Sequence, residues 1–389
     1  MFIVRFLLVI FLVFLISGCV SFNIINKNNK SLDIFNTYKV SVLWSYNIKY
    51  DNNIIYSYLH PMIYNNFLFI PYYNGVIKRL NIQNGYEVSS INVFKKKQFF
   101  SQKKTKLSGG LYIYNDILYI GSKNNKIYAI NIKNGKPLWV SSTDGNILST
   151  PIINNKLLLI HTSHGKLQAF DSKCGKLKWT VNLNVSMFSI RKQSSPVIYF
   201  RKILVGDNSG LLHLISYTGD IIWSKRISKP LKNDLTFKIY DIQSTPVVLN
   251  NIVYAIAYNG YLVSLNIENG NIIWLKNIGS LHDLFIYKNC LYLMDRHNTI
   301  LAINIYTGNI IWKNVKLSIG NITSPILYKH TIIIGDSYGY LYILNIKNGK
   351  LLAKYKIDNN RLLYIILLNK NELIIQSSKK VFCLSIKLH

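Results

Sequence analysis

The chain repeats itself, and the repeat limits what it can fold into. The unit is clearest at Thr245–Trp274, TPVVLNNIVYAIAYNGYLVSLNIENGNIIW. Four short apolar runs, Val247–Leu249, Ile252–Ala257, Tyr261–Ile267 and Ile272–Trp274, are separated by Asn250-Asn251, Asn259-Gly260 and Asn269-Gly270. Within Tyr261–Asn266, apolar and polar residues tend to alternate with a period of two, the mark of a strand. Asn-Gly pairs tolerate positive φ and suit two-residue hairpins. Each unit therefore reads as four antiparallel strands, the size of one propeller blade.

Copies run the length of the chain. Two turn positions recur at Gly75/Gly85, Asn125/Gly135, Gly165/Gly175, Gly210/Gly219, Gly260/Gly270, Asn298/Gly308 and Gly339/Gly349. A Trp stands four residues after the second turn at Trp139, Trp179, Trp223, Trp274 and Trp312, with Ser89 and Ala353 in its place in the first and seventh units. Five of the eight prolines, Pro61, Pro151, Pro196, Pro246 and Pro325, open a first strand. Proline lacks an N–H and belongs at a strand start or sheet edge. An eighth unit, Leu373–Ile386, stops after its third strand, and the sixth Trp, Trp44, lies near the other end of the chain. The expected fold is all-β: an eight-bladed propeller of four-stranded antiparallel blades. The strand around Trp44 completes the last blade and closes the ring, which removes two exposed edges. The tryptophans are expected to pack between blades.

The first residues, MFIVRFLLVIFLVFLISGC, place one Arg before an apolar run and small residues, the pattern of a signal peptide. Ile16-Ser17-Gly18-Cys19 resembles the bacterial lipobox, which implies cleavage before Cys19 and lipid on its sulfur. Val20 follows it in place of the Asp that resembles an inner-membrane retention signal, so the expected site is the periplasmic face of the outer membrane. The expected organisation is a leader over 1–18, a lipidated Cys and tether over 19–40, and the propeller over 41–389. Cys174, Cys290 and Cys383 make no disulfide framework.

The net charge is +30. Lysines are scattered among Asn, Ile and Tyr, and only Lys95-Lys96-Lys97 with Lys103, Lys104 and Lys106 forms a dense run. It is a solvated loop or a contact for anionic lipid head groups; the leader speaks against a nucleic-acid partner. No paired carboxylates stand apart from the repeat, and no nucleophile, phosphate-loop or metalloprotease pattern occurs. Asp207, Asp295 and Asp336 recur beside equivalent turns, which suggests local turn hydrogen bonds.

The segment Tyr128–Trp139 resembles the repeat of quinoprotein propellers. One such family contains dehydrogenases that use pyrroloquinoline quinone with calcium; their adjacent cysteine pair is absent here, and their ligands match no cluster in this chain. The other contains the lipoproteins of the outer membrane protein assembly factor B (BamB) family, which are not enzymes and carry no cofactor. The lipobox, the length and the eight units resemble the second; a quinone-dependent periplasmic dehydrogenase is the alternative. The BamB resemblance implies docking on the periplasmic POTRA domains of BamA within the barrel assembly machinery, beside its other subunits, with unfolded outer-membrane precursors as further partners. The family's docking loop matches Phe188-Ser189-Ile190-Arg191, so Phe188, Ile190 and Arg191 are expected to contact the partner. A second loop carries two acids in the family; here it reads Asp241-Ile242-Gln243, keeping the first acid and replacing the second by Gln243. Without the resemblance, Phe188 and Ile190 read as residues tucked under a blade, with Arg191 solvated.

Overall fold

The computed structural model describes residues 36–48, 59–94, 105–186, 192–229, 239–314 and 323–389. The leader, Cys19, residues 20–35, the lysine run over 95–104 and Phe188, Ile190 and Arg191 lie outside them. The described residues form thirty-two strands in eight four-stranded antiparallel sheets. Seven sheets are consecutive in sequence. The eighth orders Tyr38–Asn47 beside Lys380–Leu388, then Glu372–Ser377 and Leu362–Leu367. The N-terminal strand is thus the outer strand of the last blade, as expected, with Trp44 facing Cys383 in register. It begins at Tyr38, inside the stretch expected to be tether. Asn36 and Thr37 already bond to blade 7 through Lys354 N–H to Asn36 Oδ1 at 2.9 Å and Thr37 N–H to the Leu352 carbonyl at 3.0 Å.

The apolar core is divided among the junctions. Eight clusters of buried side chains lie one at each blade boundary, such as Tyr119, Ile127 and Ala129 against Leu158, Ile160 and Phe170. A neighbour on each side buries both faces of the two middle strands, so these read as continuous apolar runs. Ile252–Ile256 and Lys202–Gly206 are buried at every position but the first. Only the outer strands alternate, as in Ile221–Arg226.

Six tryptophans stitch the blades together. Trp44, Trp139, Trp179, Trp223, Trp274 and Trp312 each donate their indole N–H to a carbonyl of the next blade, those of Ile82, Ser172, Tyr217, Ile267, Ile305 and Ile346, at 2.8–3.2 Å. The ring lies flat on that blade's outer-turn glycine, where a Cβ on Gly175, Gly270 or Gly349 would come within 3 Å of an indole carbon. At Gly270, φ is +68°, so only glycine meets both the backbone and the space demand.

Turn chemistry differs from the sequence expectation at two of the three turns of this unit: at Asn259-Gly260 neither residue has a positive φ, and Asn269-Gly270 is not a two-residue hairpin. Both central residues have positive φ at Asn250-Asn251 (49° and 61°), the two-residue hairpin form. At Asn269-Gly270 only Gly270 does; the turn is longer, with Gly270 N–H on the Asn266 carbonyl at 2.9 Å and a bulge at Ser264/Leu265. The Asx geometry of Asn266, whose Oδ1 accepts Glu268 N–H at 2.8 Å, sets that length. Asp207, Asp295 and Asp336 do bind their turns, each Oδ1 accepting two backbone N–H groups two and four residues on.

If Trp44 closes the ring as the others join neighbours, Trp44→Ala costs about 3–5 kcal/mol, the scale of any buried Trp truncation, and matches Trp274→Ala. Urea unfolding of both variants checks this; a loss for Trp44→Ala within about 0.5 kcal/mol of zero, as for an ordinary surface change, would contradict it.

Candidate docking surface

Four strands per blade put all blade-to-blade connections at one end of the ring, together with the turns between second and third strands. Asp241 and Gln243 lie in such a connection, between the fourth and fifth blades. Phe188, Ile190 and Arg191 fall in the undescribed stretch 187–191, but both flanks are held. Asn184 N–H donates to Asp207 Oδ2 at 3.2 Å. On the far side Lys192 Nζ stands 3.6 Å from Asp283 Oδ2, Ser194 Oγ donates to the Ser244 carbonyl at 3.1 Å, and His161 Nδ1 lies 3.1 Å from the Ser194 carbonyl.

Asp241 and Gln243, expected to meet a partner, are covered in the free chain: Asp241 is 0 % and Gln243 2 % exposed. Gln243 Nε2 donates to Asp241 Oδ2 at 3.2 Å. Their strip is sewn into blade 5 by Tyr258 N–H on the Asp241 carbonyl at 3.0 Å and Ser244 Oγ on the Ile256 carbonyl at 3.2 Å. As a donor, the Gln243 amide lets the Asp241 carboxylate be buried beside it.

The segments from both loops converge on a cavity of about 490 Å³ lined in part by His60, Lys192, Gln193, His282 and Asp283. Its rim is a chain of backbone N–H groups reaching the next blade: Thr150 to Ser195 Oγ at 3.2 Å, Thr245 to Asp283 Oδ1 at 2.7 Å and Asp283 to Ser324 Oγ at 3.2 Å. Burial pushes the Asp283 carboxyl up, but Lys192 and the Thr245 donors outweigh it and hold it below the usual range. Burial, then Lys192, lowers His282 to about 4, and burial lowers His60. The imidazoles are therefore neutral near pH 7.

Blade 4 holds a Ser224–His213–Asp207 relay that no sequence motif announced. His213 Nδ1 lies 2.7 Å from Ser224 Oγ and Nε2 2.9 Å from Asp207 Oδ2. It is a strut rather than a catalytic group. Asp207 spends Oδ1 on Ser209 and Leu211 of its turn and Oδ2 on Asn184 as well as His213, while Ser224 simply faces His213 across the outer strand pair. Among the described residues no three His, Cys, Asp or Glu side chains gather as metal ligands, and Cys174, Cys290 and Cys383 are free thiols, the last pushed by burial to about 12.

The described residues form a closed propeller whose polar clusters serve its own turns and loops. The family model described as outer membrane protein assembly factor BamB matches residues 73–314. BamB of Moranella endobia is 34 % identical over 88 % of this chain and 89 % of its own, that of Escherichia coli K12 34 % over 89 % of each, and that of Yersinia pestis 31 % over 93 % and 94 %. The chain belongs to the BamB family, whose named members are outer membrane protein assembly factors and not enzymes. The crystal structure of BamB from Moraxella catarrhalis superposes with a TM-score of 0.77 at 20 % identity, covering 89 % of this chain and all of that one. The quinohemoprotein alcohol dehydrogenase of Comamonas testosteroni shares the fold alone, at a TM-score of 0.68 and 11 % identity over 90 % of this chain and 77 % of its own.

His161 is 0 % exposed and burial lowers it to about 4. The unfolded chain binds its proton near pH 6.5 and the folded chain does not. Stability therefore falls as pH drops from about 6.5 to about 4, by up to roughly 3 kcal/mol from this group. Urea unfolding across that range should show the loss, and His161→Gln should make it shallower by this group's share, leaving that of His282 and His60; an unchanged slope would contradict the assignment.

Proposed function

We propose that this protein is the lipid-anchored scaffold subunit of the outer-membrane barrel assembly machinery. It is held at the periplasmic face by Cys19 and docks on the POTRA domains of BamA through Phe188, Ile190 and Arg191. The observation that carries the reading is the way the loop is presented. Its flanks are fastened to three blades through Asp207, Ser244 and Asp283. Exposed apolar side chains beside one guanidinium are what interface anchors are made of. In this proposal Asp241 and Gln243 are positioning residues. Buried and bonded to each other, they hold the neighbouring connection in shape while backbone and adjacent side chains meet the partner.

Membership in the BamB family supports the role in outer membrane protein assembly. The outer strands of the blades have free edges, so extended barrel precursors could add to them by strand pairing.

The test is co-purification of BamA from cells expressing the full chain. Phe188→Ala and Arg191→Ala should each cost about 2 kcal/mol or more of binding, as central anchors do, and reduce recovery severalfold. Gln243→Ala should reduce it less, with lowered thermal stability. Undiminished recovery from both the Phe188 and Arg191 variants would overturn the docking assignment.

A further inference from the structure

The two ends of the ring differ. One carries the blade connections and, with them, Asp241 and Gln243. The other carries the turns between first and second strands and the outer turns between third and fourth. The N-terminal strand enters from this outer-turn end: Tyr38 pairs with Leu388, and the Thr37 carbonyl accepts His389 N–H at 3.0 Å. Cys19 stands seventeen residues before Asn36, a stretch that spans about 60 Å at most.

Among the described residues the four most exposed large hydrophobic side chains, Tyr86, Phe200, Tyr306 and Leu388, are 59–78 % exposed. All four stand at the outer-turn end. Phe200 is in the first turn of blade 4, Tyr86 and Tyr306 are in the outer turns of blades 1 and 6, and Leu388 ends the third strand of blade 8. Spread over four blades of one ring, they suit an extended plane better than the compact patch of a single protein partner. Lys288, Lys329, Lys347, Lys350, Lys370 and Lys387 are exposed at the same end, and none is in an ion pair among the described residues. The acids there are taken up locally, Asp116 by Lys133, Asp171 by Lys178, Glu268 by Lys202 and Asp220 by Thr218. Between blades 6 and 7 this end opens into a cavity of about 280 Å³, lined in part by Tyr287, Lys288, Trp312, His330 and Lys347 and by no carboxylate.

We infer that the outer-turn end is the membrane-facing end of the ring and rests on anionic phospholipid. Tyr86, Phe200, Tyr306 and Leu388 enter the head-group layer, where aromatic and amphipathic side chains are favoured. The unpaired lysines neutralise lipid phosphates, and the cavity offers Lys288 and Lys347 to one of them. A lipid anchor by itself leaves the orientation of the ring open; a second, electrostatic contact fixes which end meets the bilayer. Tethering makes that contact intramolecular, so individually weak head-group contacts suffice. The connections that hold Asp241 and Gln243 then face away from the membrane. The inference rests on the lipid anchor proposed above and does not use the loop of Phe188, Ile190 and Arg191.

The experiment measures hydrogen exchange of the lipidated full chain on phosphatidylcholine vesicles, with and without about one third phosphatidylglycerol. Amides in the turns at 200–202, 306–309 and 347–350 should exchange about tenfold more slowly on the anionic vesicles. That slowing should fade near 1 M salt, where the Debye length is about 3 Å. The turn at 207–211, at the opposite end, should stay within about twofold of its rate on neutral vesicles. Lys347→Gln with Lys350→Gln should cut the slowing about threefold or more. Phe200→Ser with Tyr306→Ser should do the same at an unchanged melting temperature, since both side chains are exposed. Lys123→Gln with Lys379→Gln, which removes the same charge from the other end, should leave the slowing intact. Equal exchange on the two kinds of vesicle would overturn the inference. So would an equal effect of the two lysine pairs, which would mark diffuse attraction with no preferred end. Co-flotation with phosphatidylcholine vesicles reports the anchor by itself and BamA recovery reports the docking loop, so failure of either reading is seen separately.

Discussion

The indole of one blade, lying on the glycine turn of the next and donating to its carbonyl, is the interaction on which this ring depends. It couples three strands of sequence choice. A Trp on the outer strand needs a neutral, compact partner across the pair, as Ala129, Ala169 and Ala302 provide, and a glycine on the neighbour, as at Gly175, Gly219 and Gly349. Burying an indole removes ~150–250 Å² from water, on the order of 4 kcal/mol at ~25 cal/mol per Å², and the hydrogen bond adds about 1 kcal/mol. Repeated at six boundaries, this makes the junctions, not the individual sheets, the seat of stability. An isolated blade would expose both its faces.

Trp44 gives that interaction its topological weight. It applies the same contact across the seam between the two ends of the chain, onto Gly85 and the Ile82 carbonyl of blade 1. Pairing from Tyr38↔Leu388 to Asn47↔Lys380 runs the length of the last blade. A ring closed in this way presents its connecting loops at one end on a stiff base. The relay from the surface residue Ser224 through buried His213 to Asp207, and the bonded pair Asp241 and Gln243, stiffen that end. These polar groups serve the turns and loops of the chain itself.

Most of this architecture could be read from the sequence because a repeat reports the same constraint several times. The Gly spacing, the Trp four residues later and the Pro before the first strand each recur often enough to fix blade number and to leave Trp44 as the missing outer strand. What occurs once was not legible. Nothing in Asp241-Ile242-Gln243 says that both side chains are covered, since that depends on Ile256 and Tyr258 of the same blade approaching from elsewhere in the sequence. The exchange of Ala/Trp for Arg79/Ser89 looked like a missing Trp until register placed the two residues opposite each other. The Asn269-Gly270 turn was misjudged because dipeptide preference does not see the Asx contact of Asn266 three residues earlier.

The central claim is that eight junctions act as one cooperative ring, sealed at Trp44. Native-state hydrogen exchange of the full chain, compared with Trp44→Ala, tests it most directly. A single ring predicts that slow amides in the middle strands of blades 4 and 5, opposite the seam, lose as much protection free energy as those of blade 8. Loss confined to blades 8 and 1, with Lys202–Gly206 and Ile252–Ile256 unchanged, would contradict it.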